Sequence, residues 1–190
     1  MASNLIYNYA VALFRDFHTA DILTELLAFR IENMTPAQRD VLVELEKFAK
    51  TALSSRSLME RITSLLHEKM TRYNWVGFYL VDPADARYLI VGPYVGSFSP
   101  NTRFPIETGL CGAAATSGKV VVVQDVTTDP RYLAGSNMVK SEIVVPIFAN
   151  KKLAAELDIE SYFANTFVTS EQEFIEACAA VLGNYLTKGL

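Results

Sequence analysis

The segment Leu153-Ala154-Ala155-Glu156-Leu157-Asp158-Ile159-Glu160 repeats its side-chain character with a period of two, which dictates a β-strand with two unlike faces. Leu153, Ala155, Leu157 and Ile159 fall on one face. Glu156, Asp158 and Glu160 fall on the other, at steps of about 7 Å. The first face demands an apolar layer behind it. The second face is open to two readings. An acidic row is ordinarily a solvated surface, yet three like charges in line repel and are better tolerated with a cation opposite.

Other segments supply the rest of a sheet. Trp75 to Val81 alternates, Tyr88 to Tyr94 is rich in β-formers, and Val120 to Val123 and Ile143 to Phe148 are buried apolar runs. Asn150-Lys151-Lys152 is a short connector, so the last two strands form a hairpin. Helical spacing appears at Leu5 to Phe17 and Asp21 to Ile31. Thr35-Pro36-Ala37-Gln38 and Ser57-Leu58-Met59-Glu60 carry helix-start chemistry, the second opening a helix to about Arg72. Gly109 to Thr116 is an alanine-rich short helix ended by Gly118, and Thr169 or Ser170 caps a closing helix, Glu171 to Leu186. Helices bracketing a run of strands indicate an α+β fold, an antiparallel sheet with helices packed on one face.

A chain of 190 residues, 51% hydrophobic and 20% charged, suffices for one generous domain or a domain with a helical extension. The net charge of −4 argues against nucleic acid as a partner. No uncharged stretch is long and apolar enough to span a bilayer, and Met1 to Phe14 lacks the basic start of a secretory signal, so a cytoplasmic location and no membrane partner are expected. Cys111 and Cys178 form neither a disulfide framework nor a zinc site, and His18 and His67 lack ligand spacing. No metal and no cofactor are expected.

Strand alternation also sorts candidate site residues. Trp75, Gly77 and Tyr79 share one face, and the glycine between two aromatics leaves a gap that a side chain or a ligand can fill. Glu142, entering the strand Ile143 to Phe148, is a further carboxylate candidate. The orientation of Glu156, toward a pocket or toward solvent, is left open by the pattern.

Several motifs follow one another in order: Tyr73-Asn74-Trp75-Val76-Gly77-Phe78-Tyr79, Ile90-Val91-Gly92-Pro93-Tyr94, Thr102-Arg103-Phe104-Pro105, Gly109-Leu110-Cys111-Gly112, Val123-Gln124-Asp125-Val126, Ser141-Glu142-Ile143-Val144-Val145-Pro146 and Leu157-Asp158-Ile159-Glu160-Ser161. Together, over about Asp40 to Leu186, they resemble the GAF-domain family of free methionine-(R)-sulfoxide reductases. The resemblance implies a GAF-like antiparallel sheet over 35–190 with helices behind and a pocket in front, residues 1–34 being an N-terminal helical extension. It implies a ligand site at Trp75, Tyr79, Glu142, Asp158 and Glu160, the last standing where the family carries an aspartate. Buried carboxylates are costly unless paired, so an ammonium group is their natural partner.

The departures bear on activity. The family's attacking cysteine, oxidised to a sulfenic acid and resolved by a second thiol, corresponds here to Gly135, and the resolving one to Asn101. Glu156 replaces an apolar residue. Cys111 is retained, either as a small apolar residue or, at a helix start, as a low-pKa thiol. The expected function is therefore an amino-acid-like ligand-binding domain, a catalytically inactive relative with a signalling role. Two alternatives are a reductase working through Cys111 and an interaction module that forms a homodimer through terminal helices.

Overall fold

The computed structural model describes residues 34–188. The expected helices at Leu5 to Phe17 and Asp21 to Ile31 lie outside the described residues. The first described helix, α1, spans Pro36–Ala49, with proline in its first turn where a missing amide hydrogen costs nothing. Gln38, buried on α1, donates through Nε2 to Glu171 Oε1 at 3.0 Å. Helix α2, Ser55–Lys69, begins earlier than the sequence suggests: Ser54 is the cap, exchanging bonds with Ser57, so the capping box lies one turn before Ser57-Glu60.

Six strands follow: β1 Trp75–Val81, β2 Tyr88–Gly96, β3 Arg103–Pro105, β4 Val121–Val123, β5 Ser141–Ala149 and β6 Lys152–Ser161. They form one sheet in the order β3-β2-β1-β6-β5-β4, with every neighbouring pair antiparallel. Strand β3 was not legible in the sequence because three residues carry no period. The β5–β6 hairpin turns through Asn150 and Lys151 at φ of 51° and 65°, the left-handed pair that a tight twisted hairpin requires.

Helix α3, Gly109–Ser117, ends at Gly118 with φ of 64°, and α4 spans Thr169–Lys188. Thr169 and Ser170 thus lie inside the first turn of the closing helix rather than before it. Helices α2 and α4 pack on the apolar face, with α1 packed against both of them, and there Ile147 meets α4 at Gly183 and Phe78, Leu157 and Ile159 are fully buried. Burying each such side chain contributes about 2–3 kcal/mol. Tyr73, just before β1, donates to the Glu171 carboxylate on α4, tying sheet to helix layer. Of the described helices, the short α3 is the one that crosses the opposite face, which carries the acids.

Candidate functional site

Pairing register assembles the second face. Across β1 and β6, Trp75 stands opposite Glu160, Gly77 opposite Asp158 and Tyr79 opposite Glu156. Across β5 and β6, Glu142 stands opposite Glu160 and Val144 opposite Asp158. Four carboxylates from two strands are therefore neighbours on one side of the sheet. All four are buried: Glu142 is 6% exposed, Glu156 0%, Asp158 3% and Glu160 7%. The solvated-face reading of the acidic row fails, because α3 and its flanking loops cover it.

The gap over Gly77 is filled from within. The indole of Trp75 lies across both Gly77 and Gly96, so close that a Cβ added at either glycine would fall 2.2 or 2.3 Å from an indole carbon. The ring then stacks on Tyr79, Tyr94 and Phe98, with centroids 6.1, 5.7 and 5.9 Å away. This aromatic rack sets the position of Tyr79 and Phe98, which do reach the cavity; Trp75 itself stands one layer back.

The cavity lies between β6 and the start of α3. Its wall includes Tyr79, Glu142, Asp158, Glu160 and Cys111, together with Phe98 and Leu133. Its volume is about 30 Å³, room for water but not for an amino acid unless the covering side chains part. Among the described residues that line it, none is Lys, Arg or His. Thr108 to Leu110, also on the wall, start α3. Thr108 makes no side-chain cap bond, and the first-turn amides of a helix have no partner within it, so the cavity meets an uncapped, electropositive helix start.

The electrostatics follow from this burial. Oε1 and Oε2 of Glu156, Oδ1 of Asp158 and Oε2 of Glu160 have no hydrogen-bond partner. Loss of water is the largest cause of every shift: it pushes Glu156 up to about 8 and Glu160 up to about 9, with the Asp158 charge adding to the latter. Glu142 and Asp158 are raised in the same way, Glu142 also by its acidic neighbours Asp158 and Glu160, and Asp158 by Glu156. Burial and then the Tyr79–Asp158 proximity raise the phenol of Tyr79. Burial thus favours the protonated form of these acids, and a cation brought among them would favour the charged form.

Cys111 behaves contrary to a low-pKa helix-start thiol. Its Sγ lies 3.8 Å from Asp158 Oδ2, and burial followed by the charges of Asp158, Glu156 and Glu142 raises its pKa. Burial, with those charges added to it, outweighs the helix start. The ligand atoms of Cys111, Glu142 and Asp158 lie within 4.8 Å of one another, a set able to hold a divalent ion. Cys178 is buried in α4, away from this face, and burial raises its pKa too.

Gly135 and Asn101 both line the cavity. A side chain at Gly135 would meet the Phe98 ring at 2.8 Å, so an aromatic occupies the space that a thiol at this position would need. Phe98 and Leu133 were not singled out in the sequence, and the start of α3 only for Cys111. The loop residues carry no period, and only the amides of α3, not its side chains, are informative.

Comparison with known proteins agrees with this geometry. The GAF domain model matches residues 55–186. Protein YtsP of Bacillus subtilis is 30% identical over 148 residues, covering 78% of this chain and 90% of that protein. Free methionine-R-sulfoxide reductase of Escherichia coli is 30% identical over 124 residues, covering 65% of this chain and 73% of the reductase. Among solved structures, the Neisseria meningitidis free methionine-R-sulfoxide reductase in complex with its substrate superposes with a TM-score of 0.74 at 30% identity, covering 80% of this chain and 91% of that one. With this match over residues 55–186 and this likeness in fold, the chain belongs to the GAF domain family, with free methionine-R-sulfoxide reductases among its relatives.

Proposed function

We propose that this GAF domain is a non-catalytic binding domain for a small amino-acid-like ligand, held between β6 and the start of α3. One observation carries the reading: buried carboxylates with unpartnered oxygens face an uncapped helix N-terminus across the same cavity. The two poles suit the two charges of a free amino acid. An ammonium group neutralises Glu142, Asp158 and Glu160, and a carboxylate accepts from the first-turn amides of α3. Tyr79 supplies an aromatic wall. Entry requires Phe98 and Leu133 to part, which places the ligand in a low-dielectric site where both poles act strongly.

Redox turnover is disfavoured on chemical grounds. Glycine and asparagine at 135 and 101 offer no nucleophile, and burial together with the neighbouring acids favours the thiol form of Cys111. A reductase using Cys111 alone remains the second reading, since that sulfur does line the cavity. It predicts dithiothreitol-dependent reduction of free methionine-(R)-sulfoxide that is abolished in Cys111→Ser. The binding reading is tested by calorimetry with free amino acids and their sulfoxides on wild type and Asp158→Asn. Saturable heat that Asp158→Asn loses supports it. Absence of heat and of any melting shift across the set would overturn it.

A further inference from the structure

Three side chains meet on the cavity wall from three different elements: Cys111 from the first turn of α3, Glu142 from β5 and Asp158 from β6. All three are buried, and one ligand atom from each, a sulfur and two carboxylate oxygens, lies within 4.8 Å of the other two. The spacing is close to that of a coordination shell. With ordinary zinc–sulfur and zinc–oxygen lengths, a sulfur and an oxygen at two corners of a tetrahedron stand about 3.6 Å apart. Cys111 Sγ and Asp158 Oδ2 are 3.8 Å apart. A second observation points independently to a cation. Asp158 is only 3% exposed and its Oδ1 has no hydrogen-bond partner, and Oε2 of Glu160 on the same wall lacks one too. Among the described residues lining the cavity, none is Lys, Arg or His, so no protein cation on that wall answers these oxygens.

We propose that Cys111, Glu142 and Asp158 bind one divalent transition-metal ion of the zinc class, with water in the remaining position. The donor set selects the metal. Magnesium and calcium take oxygen ligands in larger shells, whereas a thiolate suits zinc or cobalt. Three protein ligands leave a tetrahedral ion one open corner, and the cavity has room for the water that fills it. The ion displaces the thiol proton to solvent and accepts an electron pair from the sulfur and from one oxygen of each carboxylate. Glu160, paired opposite Glu142 across β5 and β6, adds an acceptor for the bound water. Ligand spacing in the sequence gave no sign of this set, because its members come from a helix and two strands that only the sheet brings together. The ion takes the oxygens that an ammonium group takes in the reading above, so ion and amino acid are alternatives at one cavity, and neither requires the other.

The full chain, reduced and freed of metal with a chelator, is titrated with Co²⁺, which reports thiolate ligation as a charge-transfer band in the near ultraviolet. The band should saturate at one equivalent, disappear in Cys111→Ser, persist in Cys178→Ser, and be reversed by Zn²⁺ but not by Mg²⁺. Asp158→Asn and Glu142→Gln should each weaken Co²⁺ binding by at least about tenfold to a hundredfold, the loss that removal of an outer-shell partner alone produces. X-ray absorption on the zinc-loaded wild type needs no variant to fold: the expected shell is one sulfur at about 2.3 Å with oxygens at about 2.0–2.2 Å. A shell without sulfur, a band that survives in Cys111→Ser, or undiminished affinity in both carboxylate variants overturns the proposal. Amino-acid calorimetry on the metal-free chain reads the binding proposal separately, so either can fail without the other.

Discussion

Replacing Glu156 with leucine should stabilise the ligand-free protein, and by an amount that depends on pH. Glu156 is fully buried with neither oxygen partnered, and its pKa moves from 4.5 in the unfolded chain to about 8 in the fold. The folded state therefore holds this proton more tightly than the unfolded state does. The contribution of the group is fully present below about pH 4.5 and is lost as pH rises toward 8. With 1.36 kcal/mol for each pH step in that window, the loss is about 3 kcal/mol at pH 7 and about 5 kcal/mol above pH 8. Leucine has no proton to lose, and its volume suits a site that is already apolar on its Tyr79 and Pro146 sides. Urea unfolding of wild type and Glu156→Leu at pH 5, 7 and 9 measures the difference directly. The gap should widen in favour of the variant from pH 5 to pH 9. A gap that stays constant with pH, or a variant that is less stable at pH 9, refutes the claim that this carboxyl is buried without a partner.

Other outcomes follow from the same geometry. Ammonium binding ionises carboxyls that are protonated in the free protein, Glu160 with its pKa near 9 among them, so binding should release protons and tighten as pH rises from 6 to 9; calorimetry in two buffers of different ionisation enthalpy reads the proton count. Gly77→Ala or Gly96→Ala drives a methyl into the indole of Trp75, costing on the order of 1–3 kcal/mol, and because Trp75 is the single tryptophan its emission should report the displacement. Both cysteines are free and buried, so neither should react with a thiol reagent at pH 8 at a rate faster than the protein opens; rapid modification of Cys111 in the native state would contradict the carboxylate shielding.

The period-two alternation of Leu153 to Glu160 by itself determined that one strand would turn its aliphatic residues to one face, where Ala155, Leu157 and Ile159 are buried, and present three acids together on the other, because side-chain direction in a strand is fixed by sequence position alone. The short Asn150-Lys151 connector likewise determined the hairpin, since few conformations close so tight a turn. Motif order was enough to carry the GAF resemblance. Whether the acids met water or a cavity depended on what lay over them, and that cover, α3 with Phe98 and Leu133, comes from segments distant in the chain whose own sequences carry no period. The same holds for Gly77: the pattern gave a gap, and only packing decided that the indole of Trp75 would fill it. Cys111 shows the sharpest division. A helix start alone lowers a thiol pKa, but burial raises it, with the charges of Asp158, Glu156 and Glu142 on β5 and β6 adding to that, and both burial and charge proximity across strands are properties of the folded chain alone.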